Sequence, residues 1–208
     1  MAAALENASA IADEVVISDG GSSDQTLVMA RDLGARVVTG PPGRGGQLNR
    51  GARQADGDVL LFLHADTRLP PEARDAIANA TAGNAVGGAF RAAYDDPRWS
   101  YRVASTLINR RAQWTGCPLG DQAQFARRDA WEAVGGFPEW PILEDLDFIR
   151  RLKRHGRVVI LSETVTTSAR RVRAQGFLRG VLTNYLIWGL YFAGISPHRL
   201  ARLYHSIR

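Results

Sequence analysis

Two groups of carboxylates, far apart in the chain, lie where a strand ends and where a helix begins. The first follows the hydrophobic run 58–63, which leads into His64-Ala65-Asp66 and then into a proline-marked turn. Ligands bind at the carboxyl edge of open α/β sheets, so a carboxylate there is well placed to hold a divalent cation against a nucleoside diphosphate. The alternative is that Asp66 only caps the helix that begins near Pro70.

The second group lies in the segment PILEDLDFIRRL. Leu146, Ile149 and Leu152 keep helical spacing toward a core, which places Glu144 and Asp145 in the first helical turn. A carboxylate fixed there could take the proton from an attacking hydroxyl group. The alternative is electrostatic, because acids favour the start of a helix and arginines its end whatever the function.

Two glycine-containing loops each connect a predicted strand to a predicted helix. In DGGSSDQT, Asp19 could accept hydrogen bonds from a base or ribose, and the glycines allow a tight turn. Ser22, Ser23 or Asp24 would cap the next helix. A plain strand-turn-helix connection explains this loop equally well. In GRGGQLNRGA, Arg44 beside a helix amino terminus makes a diphosphate cradle, although the lysine and hydroxyl residue of a P-loop are missing.

The elements that must position these residues alternate along the first 80 residues as a βαβαβ series. The predicted strands of this half are 14–18, 36–39 and 59–64, and its predicted helices are 26–34, 47–55 and 71–80. Right-handed crossovers would place the strands in one parallel sheet with helices on both faces. The second half is less regular, with predicted strands 86–94, 122–127 and 158–161 and predicted helices 100–114, 129–134 and 141–155.

Composition limits the classes of protein. The 208 residues, 45% of them hydrophobic, suit one globular domain with a short appendage. Cys117 is the only cysteine, which excludes a disulfide framework and a cysteine-rich zinc site and favours a reducing compartment. Residues 1–12 read as an amphipathic helix without the charged start and apolar run of a secretory leader. A cytoplasmic protein is therefore expected.

Charge is divided unevenly along the chain. Residues 1–149 contain 14 basic and 20 acidic side chains, whereas residues 150–208 contain 12 basic and one acidic. A basic tail indicates anionic partners, but no motif that reads RNA or DNA is present, so nucleic acid is not expected. Residues 177–195 are aromatic and aliphatic yet too polar for a membrane span. They predict either a helix packed on the domain or peripheral membrane contact by a surface-lying helix.

Taken in order, the motifs resemble the nucleotide-sugar-dependent glycosyltransferases of family 2, which have the GT-A fold. The motifs are DGGSSDQT, GRGGQLNRGA, LLFLHADT, GDQAQFARR with GGFPEWP, and EDLDFIRRL. Within that family HADT, GDQA and TSARRV resemble the small bacterial branch of arsenosugar-biosynthesis or radical-SAM-associated glycosyltransferases. The resemblance, over 14–173, implies a GT-A-like, Rossmann-related α/β fold with a mostly parallel central sheet. It also implies a catalytic domain at 1–165 and a basic, aromatic-rich helical segment at 166–208.

On the donor side, the resemblance implies a role for each matched residue. Asp19 would recognise the base and ribose, with Gly20 in place of a second acid. Asp66 would ligate Mg or Mn together with water and the diphosphate, and His64 would stand where an acid usually touches the ribose. The other expected donor-side residues are Ser22, Arg44, Gln47 and Asn49.

On the acceptor side, the resemblance implies that Asp145 is the catalytic base and that Glu144 supports it. The residues expected to line this side are Gly120, Asp121 and Gln122. Three arginines of the basic tail are expected to close over the diphosphate or to grip an anionic acceptor, unless they form a solvated basic face: Arg170, Arg171 and Arg173.

The implied reaction is an inverting transfer of a sugar from a nucleoside diphosphate, expected to be UDP, to the hydroxyl of a small-molecule or lipid-linked acceptor. A homodimer is a further expectation. Two alternatives stay open: a catalytically impaired binding protein of the same fold, and a sugar-phosphate nucleotidyltransferase, whose glycine-rich, lysine-containing signature is missing. The family also begins with an apolar strand that precedes the helix at 1–12. The first, central strand is therefore expected to be missing, or replaced by another segment or a neighbouring subunit.

Overall fold

Helices and strands alternate along the computed structural model, which describes residues 2–23, 25–175 and 177–207. The strands are β1 (Val16–Asp19), β2 (Arg36–Thr39), β3 (Val59–Phe62), β4 (Thr67–Arg68), β5 (Ala85–Tyr94), β6 (Gln124–Arg127) and β7 (Arg157–Thr167). The helices of the first half are α1 (Ala2–Ser9), α2 (Thr26–Asp32), α3 (Arg44–Gln54) and α4 (Ala73–Ala82). Those of the second half are α5 (Trp99–Thr115), α6 (Arg128–Ala133), α7 (Glu144–His155), α8 (Arg170–Gln175), α9 (Phe177–Phe192) and α10 (Pro197–Ile207).

The strands form two separate sheets within the described residues. β1 and β2 pair in parallel, and the other five strands are ordered β3-β6-β5-β7-β4. The larger sheet is mixed rather than mostly parallel, because β6 runs antiparallel to both β3 and β5 while β5 and β7 are parallel. The predicted βαβαβ series is therefore interrupted between β2 and β3. No described strand joins the two sheets, and whether a further strand fills this gap stays a prediction.

Two clusters of buried side chains cover the faces of the larger sheet. The cluster beneath α7 joins β3, β6, α6 and α7, and its members include Leu60, Phe62, Trp131, Phe137, Leu146, Phe148, Ile149 and Leu152. The cluster beneath α4 includes Leu69, Phe90, Phe125 and Val165. The helical spacing of Leu146, Ile149 and Leu152 thus faces the core as predicted, and all three are fully buried. This fixes which side of α7 is left for the site.

The two-stranded sheet has a small core of its own. Its buried apolar residues are Leu5, Ala30 and Ala35, with Val15, Ile17, Leu33 and Val37 partly buried around them. α3 packs on β1, and the Glu14 carboxylate accepts backbone N–H groups of Asp56 and Gly57 at the entrance to β3. These contacts link the small sheet to the larger one.

The carboxyl-terminal helices pack on the body through one side of α9. Trp188 and Tyr191 lie against the cluster beneath α7, and Ile187 is buried. Within the described part of the chain, no helix is both long enough and apolar enough to cross a bilayer. The strand that precedes these helices, β7, ends at Thr167, two residues beyond the predicted end of the catalytic domain.

Candidate active site

The end of β3 and the start of α7 meet at Gly120. A methyl group on Gly120 would lie 2.9 Å from His64 Nε2 and 3.2 Å from Asp145 Oδ2, so only glycine allows this approach without displacing a neighbour. Gly120 opens a single 3₁₀ turn that ends at Gln122. Gln122 is fully buried, and its side-chain amide donates to the Phe90 carbonyl oxygen at 3.0 Å. The GDQ motif therefore forms an ordered turn between Asp66 and the Glu144-Asp145 pair.

Asp145 is held in place by backbone groups. Its Oδ2 accepts the Gly120 N–H at 2.6 Å and its Oδ1 accepts the Leu146 N–H at 2.7 Å. The Asp145 carbonyl oxygen accepts a hydrogen bond from Gln124 Nε2 at 3.2 Å, and the same amide donates to Pro118 at 3.0 Å. Each carboxylate oxygen keeps a lone pair for a further donor. An acceptor hydroxyl could supply that donor.

Glu144 is the buried member of the acidic pair. It is 2% exposed, and burial together with the Asp145 charge raises the pKa of its carboxyl. Arg44, at the start of α3, lies 3.6 Å from Glu144 Oε1 and is half exposed. Glu144 Oε2 has no hydrogen-bond partner among the described residues. Arg44 therefore joins the start of α3 to the start of α7.

His64 lies at the centre of the electrostatic interactions in the site. Burial, and then the positive charge of Arg44, lower the pKa of its imidazole, while Asp121, Asp145 and Asp66 act in the opposite direction. The result favours a neutral ring, which can donate one hydrogen bond and accept another. The carboxylates at positions 66 and 145 thus both act on one imidazole, as expected for two sides of one cleft.

The charges of Asp121 and Arg111 interact with each other beside His64. Burial raises the pKa of Asp121, and Arg111 is the strongest influence that opposes the rise. Asp121 Oδ1 and the Nε and Nη2 atoms of Arg111 are buried without hydrogen-bond partners in the described structure. The charges of Asp121 and Arg111 both act on the phenol of Tyr94, and burial raises the pKa of that phenol above the usual value. Unpaired buried groups of this kind are typical of a site that receives a ligand or a water molecule.

On the donor side, Asp19 closes its own turn. Its Oδ2 accepts the N–H groups of Gly21 at 2.7 Å and Ser22 at 2.9 Å, and its Oδ1 accepts the Ser22 hydroxyl at 2.5 Å. These bonds, led by that of the hydroxyl, lower the pKa of Asp19. Gln47 donates to the Ser18 carbonyl oxygen at 2.9 Å and packs against Gly20. Asp19, Gly20, Ser22 and Gln47 are therefore neighbours, and their contact with a nucleotide stays a prediction.

Asn49 binds the loop that follows α6. Its amide donates to the Phe137 carbonyl oxygen and accepts the Phe137 N–H, each at 2.8 Å, and the side chain is buried. A side chain at Gly45 would collide with the Pro138 carbonyl oxygen, so α3 and this loop touch directly. The structure gives Asn49 an architectural role, and the nucleotide contact expected of it stays a prediction.

The three arginines of the tail are not equivalent. Arg173 donates to Asp96 Oδ2 at 2.6 Å, and Arg98 holds the same carboxylate at 2.7 Å. Arg170 is exposed, and the side chain of Arg171 lies outside the described residues. An open cavity of about 430 Å³ lies beside this network, lined by Tyr94, Asp95, Asp96, Pro97 and Arg102. α8 is thus tied to the end of β5, close to Tyr94 and Asp121.

A divalent cation fits these residues only with the help of a substrate. Among the described residues, no group of three His, Cys, Asp or Glu side chains converges as a metal site. Asp66 is partly buried beside His64 and offers one carboxylate. Magnesium is commonly bound by one or two carboxylates plus the phosphates of a substrate. The arrangement therefore agrees with Asp66 as a single protein ligand.

Three residues of the site were not predicted from the sequence. Arg111 lies on α5, Gln124 begins β6, and Arg50 on α3 donates to the Asp19 carbonyl oxygen at 3.0 Å. Gln124 could have been recognised as a polar residue next to the apolar Phe125 and Ala126 of the same strand. Arg111 sits next to another arginine on a helix with several exposed positions, so its burial is not visible in the residue types alone.

Comparison with known families identifies the family of this chain. The family model of Glycosyl transferase family 2 matches residues 1–135. The chain belongs to glycosyl transferase family 2. This confirms the predicted family and the predicted class of enzyme. The finer assignment, to the arsenosugar branch, is not part of what the match shows.

The chain is similar to several curated glycosyltransferases over part of its length. An undecaprenyl-phosphate 4-deoxy-4-formamido-L-arabinose transferase from Proteus mirabilis is 31% identical over 124 residues, which are 55% of this chain and 38% of that protein. An uncharacterized glycosyltransferase from Rickettsia bellii is 37% identical over 75 residues, 36% of this chain and 26% of that protein. The chain therefore spans well under half the length of these curated relatives.

Solved structures confirm the predicted fold. TarS 1-349 from S. aureus superposes with a TM-score of 0.63 at 22% identity, covering 81% of this chain and 56% of that one. Glucosyl-3-phosphoglycerate synthase from Mycobacterium tuberculosis, in complex with Mn2+, UDP and phosphoglyceric acid, superposes with a TM-score of 0.54 at 23% identity. That match covers 80% of this chain and 64% of the synthase. The α/β, GT-A-like architecture is thereby established.

Proposed function

We propose that this family 2 member transfers a sugar from a nucleoside diphosphate to an acceptor hydroxyl by direct, inverting displacement. The observation that carries the proposal is the meeting of His64 and Asp145 at Gly120. It brings the end of β3, where a diphosphate would bind, within a few ångströms of a carboxylate that can act as a base. UDP is the expected nucleotide, in line with the synthase complex named above.

In this mechanism Asp145 accepts the proton of the attacking hydroxyl. The two backbone N–H groups on its oxygens fix the orientation of the carboxylate without using all its lone pairs. Glu144 lies beside it, buried and paired with Arg44, and so fixes the start of α7 relative to α3. Positioning of a general base within hydrogen-bond reach of the acceptor is the geometric requirement for this chemistry.

The leaving diphosphate would lie between α3 and the end of β3. Arg44 is half exposed there and can turn from Glu144 toward phosphate oxygens. Neutral His64 can donate a hydrogen bond to the ribose or to a phosphate without adding charge. Asp66 would hold Mg or Mn, and a bound cation would supply neutralisation of the charge that develops on the diphosphate.

The acceptor, the branch of the family and the cellular location are further proposals. A hydroxyl of a small molecule or a phosphate-bearing lipid is the proposed acceptor, since one relative acts on undecaprenyl phosphate and one solved neighbour binds phosphoglyceric acid. Membership of the arsenosugar branch rests only on HADT, GDQA and TSARRV. A cytoplasmic location, a homodimer, and the boundary between a catalytic domain 1–165 and a tail 166–208 likewise stay predictions.

The base assignment is tested by Asp145→Asn beside Asp147→Asn. Asp147 lies on the same helix, but its carboxylate pairs with Arg151 at 2.7 Å. Wild-type protein is first screened for release of nucleotide from UDP-, GDP- and dTDP-sugars with Mg or Mn and candidate acceptors. Asp145→Asn should then lower turnover by about 100- to 10,000-fold, the usual contribution of a general base. Donor affinity, measured by calorimetry, should change little.

Other outcomes separate the alternatives. Unchanged turnover in Asp145→Asn would refute the base, and an equal loss in Asp147→Asn would point to damage to α7. Donor binding without turnover across the whole screen would favour a catalytically impaired binding protein. Incorporation of a sugar phosphate into a nucleotide sugar would favour a nucleotidyltransferase.

A further inference from the structure

α9 is apolar on two opposite sides, and the domain covers only one of them. On the inner side, Ile187 is buried and Trp188 and Tyr191 pack against the cluster beneath α7. On the outer side, four large apolar side chains are 41% to 60% exposed: Leu182, Tyr185, Leu186 and Phe192. At 3.6 residues per turn, these four positions fall within one arc of about 120°. Phe192 lies at the edge of this arc, where its ring also contacts Trp188, Tyr191 and the Arg150 guanidinium. The four positions are called here the outer face of α9.

The inner side connects this helix to the catalytic helix. Arg150 of α7 donates to the Tyr191 hydroxyl at 3.0 Å, and its guanidinium lies over the ring of Phe192 at 5.1 Å. Trp140, in the loop before α7, lies 6.3 Å from Tyr191 between ring centroids. The outer face is therefore carried on a helix fastened to the element that bears Glu144 and Asp145.

The segment that carries the outer face has basic but no acidic side chains. Residues 164–208 contain seven arginines and no acidic residue. α10 packs beside α9 and exposes Arg199, Arg202 and the apolar Leu203. A helix with an exposed apolar stripe and flanking arginines is typical of segments that lie in the interface of an anionic bilayer.

We propose that the outer face of α9, with the exposed arginines of α10, docks on a bilayer surface that contains anionic phospholipids. The apolar stripe enters the boundary between headgroups and acyl chains, and the arginines contact lipid phosphates. A second copy of the chain fits less well, because a two-fold contact would place two acid-free, arginine-rich segments against each other. Docking needs no catalytic residue. If the proposed function holds, docking also brings the transfer site close to a lipid-borne acceptor.

Flotation with vesicles tests the surface in the full chain. Wild-type protein should float with vesicles of phosphatidylethanolamine and phosphatidylglycerol, bind weakly to phosphatidylcholine alone, and be released by added salt. The triple variant Leu182→Gln, Leu186→Gln, Phe192→Gln should partition at least about tenfold less, because the apolar side chains drive insertion. Arg199→Gln with Arg202→Gln should reduce binding by roughly tenfold through lost electrostatic attraction.

Two variants serve as controls for exposed apolar surface elsewhere. Val28→Gln with Met29→Gln removes side chains of α2 that are 57% and 36% exposed and should leave flotation unchanged. Trp99→Gln with Trp114→Gln removes the exposed tryptophans of α5, which are 77% and 92% exposed. If the α5 pair abolishes flotation while the α9 triple variant does not, the surface has been assigned to the wrong helix.

Further results would overturn the proposal outright. They are wild-type protein that stays unbound with anionic vesicles, and a dimer, seen by light scattering, that the α9 triple variant converts to a monomer. Asp145→Asn should float like the wild type, so a failure of the catalytic assignment and a failure of docking give different results. Unchanged unfolding midpoints would show that the surface variants are folded.

Discussion

Around the five-stranded sheet, the site is held by buried aromatic rings, whereas around the two-stranded sheet it is held by short hydrogen bonds within one turn. Phe148 stacks on Phe137 at 4.1 Å and meets Phe62 at 5.7 Å directly beneath α7. On the other side, Asp19 accepts three hydrogen bonds from residues two and three positions further along the chain. The small sheet adds only a few buried aliphatic side chains.

The two halves of the site are therefore expected to differ in how easily they are displaced. Close packing resists displacement, so the groups proposed for proton transfer keep their geometry before any substrate arrives. A turn fixed by local hydrogen bonds on a small core costs less free energy to open. The nucleotide side is therefore expected to be the adjustable half, with α3 as its connection to the rigid one.

Removing one apolar side chain from each half should give the largest difference between them. Phe148→Ala should lower the free energy of unfolding by about 3–5 kcal/mol, because it leaves a cavity in the cluster beneath α7. Ile17→Ala, in β1, should cost about 1 kcal/mol, since the side chain is only partly buried. Urea denaturation of both variants measures the two losses. Equal losses would mean that the two halves are equally well packed.

A second variant tests whether α3 depends on the rigid half. Asn49→Ala removes two buried hydrogen bonds and leaves the Phe137 N–H and C=O unpaired, which should cost about 2–4 kcal/mol. Gln47→Ala, on the same helix, removes hydrogen bonds to Ser18 and Gly43 at a more accessible place and should cost about 1 kcal/mol. Urea denaturation midpoints of the two variants give the order of the two losses in unfolding free energy. A larger loss for Gln47→Ala would contradict the role given to Asn49.

The smallest effects should have opposite dependence on pH in the two halves. The pKa of Asp121 is raised by burial, so the stability of the fold decreases as the pH rises above about 4, where the carboxyl ionises in the unfolded chain. Asp121→Asn should therefore raise the melting temperature at neutral pH by about 2–4 °C and lose this advantage in acid. The pKa of Asp19 is lowered by its hydrogen bonds, so its contribution is present above about pH 4 and lost below.

Asp19→Asn should accordingly destabilise the protein at neutral pH and have no effect in acid. Melting curves of both variants and the wild type across the acid range measure the two trends. Parallel curves for Asp19→Asn and Asp121→Asn would show that the two carboxylates occupy similar environments.

Much of the secondary structure follows from local sequence patterns, and the exceptions have physical causes. The strand predicted from residue 122 begins at Gln124, because Gln122 is drawn into a 3₁₀ turn by its bond to Phe90. The helix predicted from 141 begins at Glu144, after Leu143 in a left-handed conformation. The last strand predicted, 158–161, continues to Thr167 because its second half pairs with β5.

Sheet order and site geometry depend on contacts between distant residues. The residues of β6 alone do not indicate that it lies between β3 and β5. That position depends on pairing with strands more than 30 residues away in the chain. The motifs predict that Asp145 and Asp66 share a site, but not that Gly120 N–H orients Asp145. Arg111 could not be foreseen because its environment is built by β5 and the GDQ turn.

The interruption between the two sheets has a practical consequence for work with this chain. Within the described residues, β1 pairs only with β2 and β3 only with β6, so one edge of each strand has no strand partner, although Gln47 already donates to the Ser18 carbonyl oxygen on that edge of β1. Such edges are templates for self-association. Concentrated stocks are expected to precipitate by strand addition before they lose their native packing, and a lysine placed in β1 or β3 would extend their shelf life.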